Sequence, residues 1–68
     1  MKAYNFWYEL VNTKNNDHVT YSHNIHANSQ RAAYEFIVKR ACDNLEIKHK
    51  NGSHWILSEI KLHSITIV

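Results

Sequence analysis

Only one stretch of this chain, Asn28 to Asn44, combines the spacing, capping residues and length of an amphipathic helix, while the remainder alternates like β-strand. Asn28 and Ser29 can each accept a hydrogen bond from the unpaired N–H groups of a first turn, so the helix starts near Ser29. Ala33, Phe36, Ile37 and Ala41 recur at three- and four-residue steps and form one apolar stripe. Gln30, Arg31, Glu35, Lys39 and Asp43 point elsewhere. Lys39 and Arg40 oppose the helix dipole in the last turns, and Asn44 can take the left-handed conformation that ends a helix. The predicted end is therefore Asp43 or Asn44. A helix of about 15 residues is marginal alone in water, so the stripe needs a sheet to lie on.

The sheet is supplied on both sides of the helix. Tyr4, Phe6, Tyr8 and Leu10 alternate with Asn5, Trp7, Glu9 and Val11, which predicts a strand from about Ala3 to Asn12. The Tyr4 to Leu10 face should meet the helix, because burying Asn5 and Glu9 unpaired would be costly, and Trp7 is left outside. Asn12 to Asp17 is wholly polar and reads as a hairpin loop. A second strand follows, with Val19, Tyr21, His23 and Ile25 on one face, and leads into the helix through Ala27. Beyond the helix, Leu45 to Lys50 alternates and runs into Asn51-Gly52, a strong hairpin signal. That register places Ile47 and Ile56 against the helix, with Trp55, Leu57 and Lys48 on the outer face; a slip by one residue would exchange the faces. Ile60 and Leu62 keep the parity of Ile56, whereas Ile65 and Ile67 do not. A bulge near His63-Ser64 would restore the inward direction, making Ser64 to Val68 a short fifth strand or a bent continuation. The expected fold is α+β: one small domain spanning 1–68, ordered β-β-α-β-β(-β), with a mainly antiparallel four- to five-stranded sheet and the helix on one face. Its inner set is Tyr4, Phe6, Tyr8, Val19, Tyr21, Ile25, Ala33, Phe36, Ile37, Ala41, Ile47, Ile56 and Ile60.

Composition narrows the functional classes. Apolar residues make up 44% of the 68, too many for intrinsic disorder. No apolar run approaches the roughly 18 residues of a membrane span, and no basic segment followed by an apolar one opens the chain. The expectation is a cytoplasmic protein of a bacterial host cell, without a membrane partner. The single cysteine, Cys42, cannot form an internal disulfide and reads as a small buried hydrophobe beside the stripe. A net charge of +2 is too small for a dedicated phosphate-tracking surface.

Six histidines make metal binding the first chemistry to weigh. His23 and His26, three apart on a strand, point to opposite faces, and His49 with His54 would make a cross-strand pair lacking a carboxylate or thiolate. No metal or other cofactor is predicted. Nor is there a phosphate loop, an elbow serine or a suggestive carboxylate pair, so no catalytic residue is assigned. Gly52-Ser53-His54, after a helix and a short strand, is similar to the glycine-serine-histidine segment of HicA-type messenger-RNA interferase toxins. That resemblance covers about Phe36 to Val68 and implies a ribonuclease with His54 as its catalytic histidine. Position 55 is Trp where the toxins continue with a polar residue, the final helix is missing, and a hairpin is added over 1–27.

What remains is recognition of a macromolecule. Trp7, Lys48, Lys50 and Trp55 are the candidate contacts, combining aromatic faces with cations around the uncovered sheet and the Asn51-Gly52 hairpin. Glu9, Glu46 and Glu59 fall on the same predicted outer face and weaken a phosphate track. In layout, including Met1-Lys2-Ala3-Tyr4 and the hairpin that follows, the chain resembles the small phage-encoded anti-CRISPR and host-takeover proteins. The resemblance implies a non-enzymatic inhibitor that occludes a surface on a host protein or ribonucleoprotein complex. A small RNA- or DNA-binding module is the alternative.

Overall fold

The computed structural model describes residues 1–49 and 54–67, with the side chain of His49 left aside. It is a small α+β fold in which β1 (Lys2–Asn12) and β2 (His18–Ala27) precede α1 (Gln30–His49), and β3 (Trp55–Ile67) follows it. The described strands form one antiparallel sheet in the order β2-β1-β3, so β1 is central and the other two are edges. The helix packs on one face only, with residues from all three strands beneath it.

The first hairpin follows the expected alternation. Tyr4 pairs with Ile25 and Tyr8 with Tyr21, which keeps both apolar sets on the helix side. Its loop is organised by Asn12, itself 92% buried (8% exposed), whose Oδ1 accepts the N–H groups of Lys14 (2.9 Å) and Asn15 (3.4 Å). Asn16 closes the turn with φ of 64°, a left-handed conformation that asparagine tolerates. The N-cap is Ser29, whose Oγ accepts the Ala32 N–H at 3.1 Å.

The helix does not stop at Asp43 or Asn44. It continues through His49, so the predicted third strand over Leu45 to Lys50 is helical as far as it is described. The physical reason is that Leu45 lies four residues after Ala41 and packs on the same core, which extends the stripe by a further turn. Asn44 is no terminator: it is mid-helix, and its Nδ2 donates to the Tyr8 hydroxyl at 2.9 Å. Lys50 and the Asn51-Gly52 turn lie outside the described residues.

Beyond them, the predicted fourth strand and the final segment are one strand of 13 residues. Its register against β1 skips twice, at Ser58 and at His63, where Glu9/Leu10 face Glu59/Leu57 and Asn5/Phe6 face Ser64/Leu62. The bulge at His63 is the interruption expected there. The one at Ser58 exchanges the faces upstream of it: Trp55 and Leu57 point to the helix side opposite Asn12 and Leu10, and Ile56 points away opposite Val11.

The core is correspondingly redrawn. Tyr4, Phe6, Tyr8, Leu10, Ile25, Ala33, Ile37 and Ala41 are buried, and Tyr21, Trp55, Leu57, Ile60 and Leu62 pack against them. Ala33 and Ala41 carry so little bulk that the helix axis can approach β1, and the β1 aromatics fill the space. Phe36, Ile47 and Ile56 are exposed instead of inward, because the buried stripe runs 33-37-41 and Phe36 and Ile47 fall to one side of it. Cys42 is exposed as well, one residue beyond the stripe. The molecule measures 40 × 18 × 13 Å with a radius of gyration of 13.1 Å, against about 11 Å for a compact chain of this length. Long strands cause that elongation. A 20-residue helix spans about 30 Å and a 13-residue strand, twelve steps long, up to about 40 Å, so α1 cannot cover β3 from end to end.

Candidate interaction surface

The uncovered face of the sheet is built from the residues of β1 that the helix leaves out, Asn5, Trp7, Glu9 and Val11, all half-buried, and their cross-strand partners. Trp7 occupies the centre, opposite Ser22 on β2 and Lys61 on β3. Around it the side chains tie the strands together: Asn5 Nδ2 donates to Asn24 Oδ1 at 2.8 Å, and Ser22 Oγ donates to Asn5 Oδ1 at 3.4 Å. Asn5, Trp7, Thr20, Ser22 and His63 border a shallow open depression of about 430 Å³. A large aromatic set in a frame of hydroxyls and amides can present one apolar contact with satisfiable polar surroundings.

The charge of this face argues against phosphate. Glu9 and Glu59 sit directly opposite each other across β1 and β3, and His18 Nδ1 lies 3.5 Å from Glu9 Oε2. Lys61 is the one Lys or Arg at the paired positions of the outer face. Glu46, expected here, is on the helix.

The other predicted contacts are elsewhere. Trp55 is on the opposite, helix-covered side of the sheet, half-buried against the core, so Trp7 and Trp55 do not form one patch. Lys48 and Trp55 do meet, although not as strand neighbours: Lys48 comes from the last turn of α1 and its Nζ stands 4.7 Å from the indole centroid. Lys50, Gly52 and Ser53 are outside the described residues. His54 is exposed, and its carbonyl accepts the Thr13 N–H at 2.7 Å and the Thr13 hydroxyl at 3.1 Å, anchoring the start of β3 to the first loop. His23 and His26 face opposite sides of β2, opposite Phe6 and Ala3. Among the described residues no group of three or more His, Cys, Asp or Glu could hold a metal ion, and no helix is long and apolar enough to cross a membrane.

A second concavity was not foreseen. Tyr8 stacks on Tyr21 (5.2 Å between ring centroids) and His23 (6.0 Å), and these line a groove of about 430 Å³ with Arg40, Asp43, Asn44 and Ile47. Arg40 also reaches over the exposed Phe36 ring at 5.7 Å. The signal for this flank was the 33-37-41 spacing, which leaves 36, 40, 43 and 47 on one side of the buried stripe.

Compared with protein-family models, curated proteins and solved structures, the chain gives no match.

Proposed function

We propose that the chain acts without catalysis, by occupying a surface on another protein through the uncovered sheet face centred on Trp7. The observation that carries this reading is the half-buried Trp7 in the middle of an open, mostly polar three-stranded platform. Such an aromatic, ringed by groups that can hydrogen-bond or exclude water, has the make-up of an interface hot spot. The opposed Glu9 and Glu59 favour a protein over a nucleic acid as the direct target. A host defence or ribonucleoprotein complex is proposed as the partner on the layout-level resemblance of the sequence to small phage-encoded inhibitors.

A second reading rests on the Lys48–Trp55 contact, an aromatic plane with an ammonium above it, and would place single-stranded RNA or DNA at that end of the molecule. One experiment separates the two. Tagged protein is used to capture partners from a bacterial lysate, with and without nuclease, alongside Trp7→Ala and Trp55→Ala variants whose folding is checked by circular dichroism. The expected result is a captured protein that survives nuclease and whose affinity for purified bait falls by about 30-fold or more in Trp7→Ala, the equivalent of about 2 kcal/mol. Capture that nuclease abolishes, or that Trp55→Ala alone weakens, would replace this reading with the second.

A further inference from the structure

We infer that two copies of this chain pair edge to edge through β3, antiparallel about Lys61, giving one continuous sheet with three strands from each copy. The inference starts from the order β2-β1-β3, which leaves β3 at an edge over all its 13 residues. Natural sheets protect such edges with proline, several lysines, bulges or short length; β3 has no proline, one lysine and more residues than either other strand, and of these devices it carries only its two bulges. It also holds every large, exposed apolar residue of the described strands: Ile56, Ile65 and Ile67, the last 81% exposed. The edge at β2 has none, so the two edges are not equivalent.

The pairing register comes from the bulges. Residues on the helix side of β3 are Trp55, Leu57, Ile60, Leu62, Ile65 and Ile67, and the bulges at Ser58 and His63 create two outward doublets, Ser58-Glu59 and His63-Ser64. A half-turn about Lys61 carries Trp55 onto Ile67, Leu57 onto Ile65, Ile60 onto Leu62, and one doublet onto the other. A single bulge would have destroyed that correspondence, because every position beyond it would face the wrong side. The doublets Ser58-Glu59 and His63-Ser64, centred at equal distance on either side of Lys61, preserve it along the whole strand. Pairing with β1 does not require this symmetry, since β1 alternates without interruption.

In this register the directly opposed Lys61 side chains repel, and the partner's Glu59, at a diagonal position that long side chains reach, offsets part of that cost; Glu59 itself comes opposite the partner's His63. The apolar pairs cover what the helix is too short to cover: Ile67 of each copy lies against the partner's Trp55, and Ile65 against the partner's Leu57. Because the axis is perpendicular to the sheet, both helices lie on one side and the two Trp7 faces on the other.

The test uses the full chain with Cys42→Ser, so that no native thiol competes. Sedimentation should show two chains per particle. Under mild oxidation Lys61→Cys should cross-link to itself, since opposed Cα atoms about 4.5–5.5 Å apart lie within disulfide range. Ser58→Cys alone should not cross-link, but its mixture with Ser64→Cys should. Ile67→Lys, at a site too exposed to threaten the fold, should raise the dimer dissociation constant by about tenfold or more, because the altered pair occurs twice. A single chain at protein concentrations up to about 1 mM, or a dimer that neither cross-links at position 61 nor weakens with Ile67→Lys, overturns the inference. In the latter case the copies meet through another surface.

Discussion

The two faces of β1 lie back to back along the same eleven residues and differ completely in their surroundings. On one, Tyr4, Phe6, Tyr8 and Leu10 are 3%, 2%, 1% and 0% exposed; on the other, Asn5, Trp7, Glu9 and Val11 are all only half-buried. The covered face is assembled from large strand side chains against a helix stripe in which two alanines flank Ile37. The open face is held by amide and hydroxyl contacts and keeps a pair of carboxylates at opposed strand positions. The difference teaches where stability resides in so thin a molecule, and which face the proposed function assigns to recognition. Substitutions on the covered side should cost folding free energy, and those on the open side should leave it nearly unchanged.

The largest effect is expected at Ile37, fully buried at the centre of the stripe. Ile37→Ala should destabilise the chain by about 2 to 5 kcal/mol, measured by chemical denaturation, a large share of what a domain this small possesses. A loss below about 0.5 kcal/mol would break the division between the faces at its strongest point. Asn44→Ala comes next. It removes the donor to the Tyr8 hydroxyl, a group 1% exposed at the residue level, and leaving that hydroxyl unpaired should cost about 1 to 3 kcal/mol. The double variant Tyr8→Phe/Asn44→Ala should recover part of the loss, because no polar group is then stranded. If the double variant is no better than Asn44→Ala, water from the adjoining groove already satisfies the hydroxyl. Ser29→Ala should cost about 1 kcal/mol, the usual worth of an N-cap, and less if Asn28 takes over the N–H that Ser29 Oγ now accepts.

The same division explains which parts of the molecule can be read from its residues. β1, β2 and their loop are legible because alternation persists over ten or more residues and ends in a wholly polar run. Ser29 is legible because capping is local. Leu45 to Lys48 is not, since Leu-Glu-Ile-Lys satisfies both strand alternation and the next helical turn; what decides is distant, the core beneath Leu45 and Tyr8 beneath Asn44. The bulge at His63 announces itself through the parity change at Ile65, but the one at Ser58 is silent. Leu57, Ile60, Trp55 and Ile56 admit either parity, and only pairing with β1 chooses between them. That single residue turns Trp55 to the helix-covered face and so separates it from Trp7. Trp7 keeps the outward face its alternation predicts because no bulge interrupts its own strand.

The smallest effect provides the finest test of the open face. Glu9 and Glu59 are directly opposed across β1 and β3, and like charges in that position destabilise a sheet. His18 Nδ1 lies 3.5 Å from Glu9 Oε2 in an exposed contact, on one side of the pair only. Exposed ion pairs of this kind contribute little. Glu59→Gln, measured by denaturation at a concentration where the protein sediments as one chain, should therefore stabilise the fold by about 0.2 to 1 kcal/mol. The gain should shrink in high salt, because screening already weakens the repulsion it removes. Its sign carries the argument: a gain would mean that the open face retains an unfavourable pair, as a surface shaped for a partner can. A loss would mean that Glu59 makes a stabilising contact within its own chain, and that the open face contributes to the fold after all.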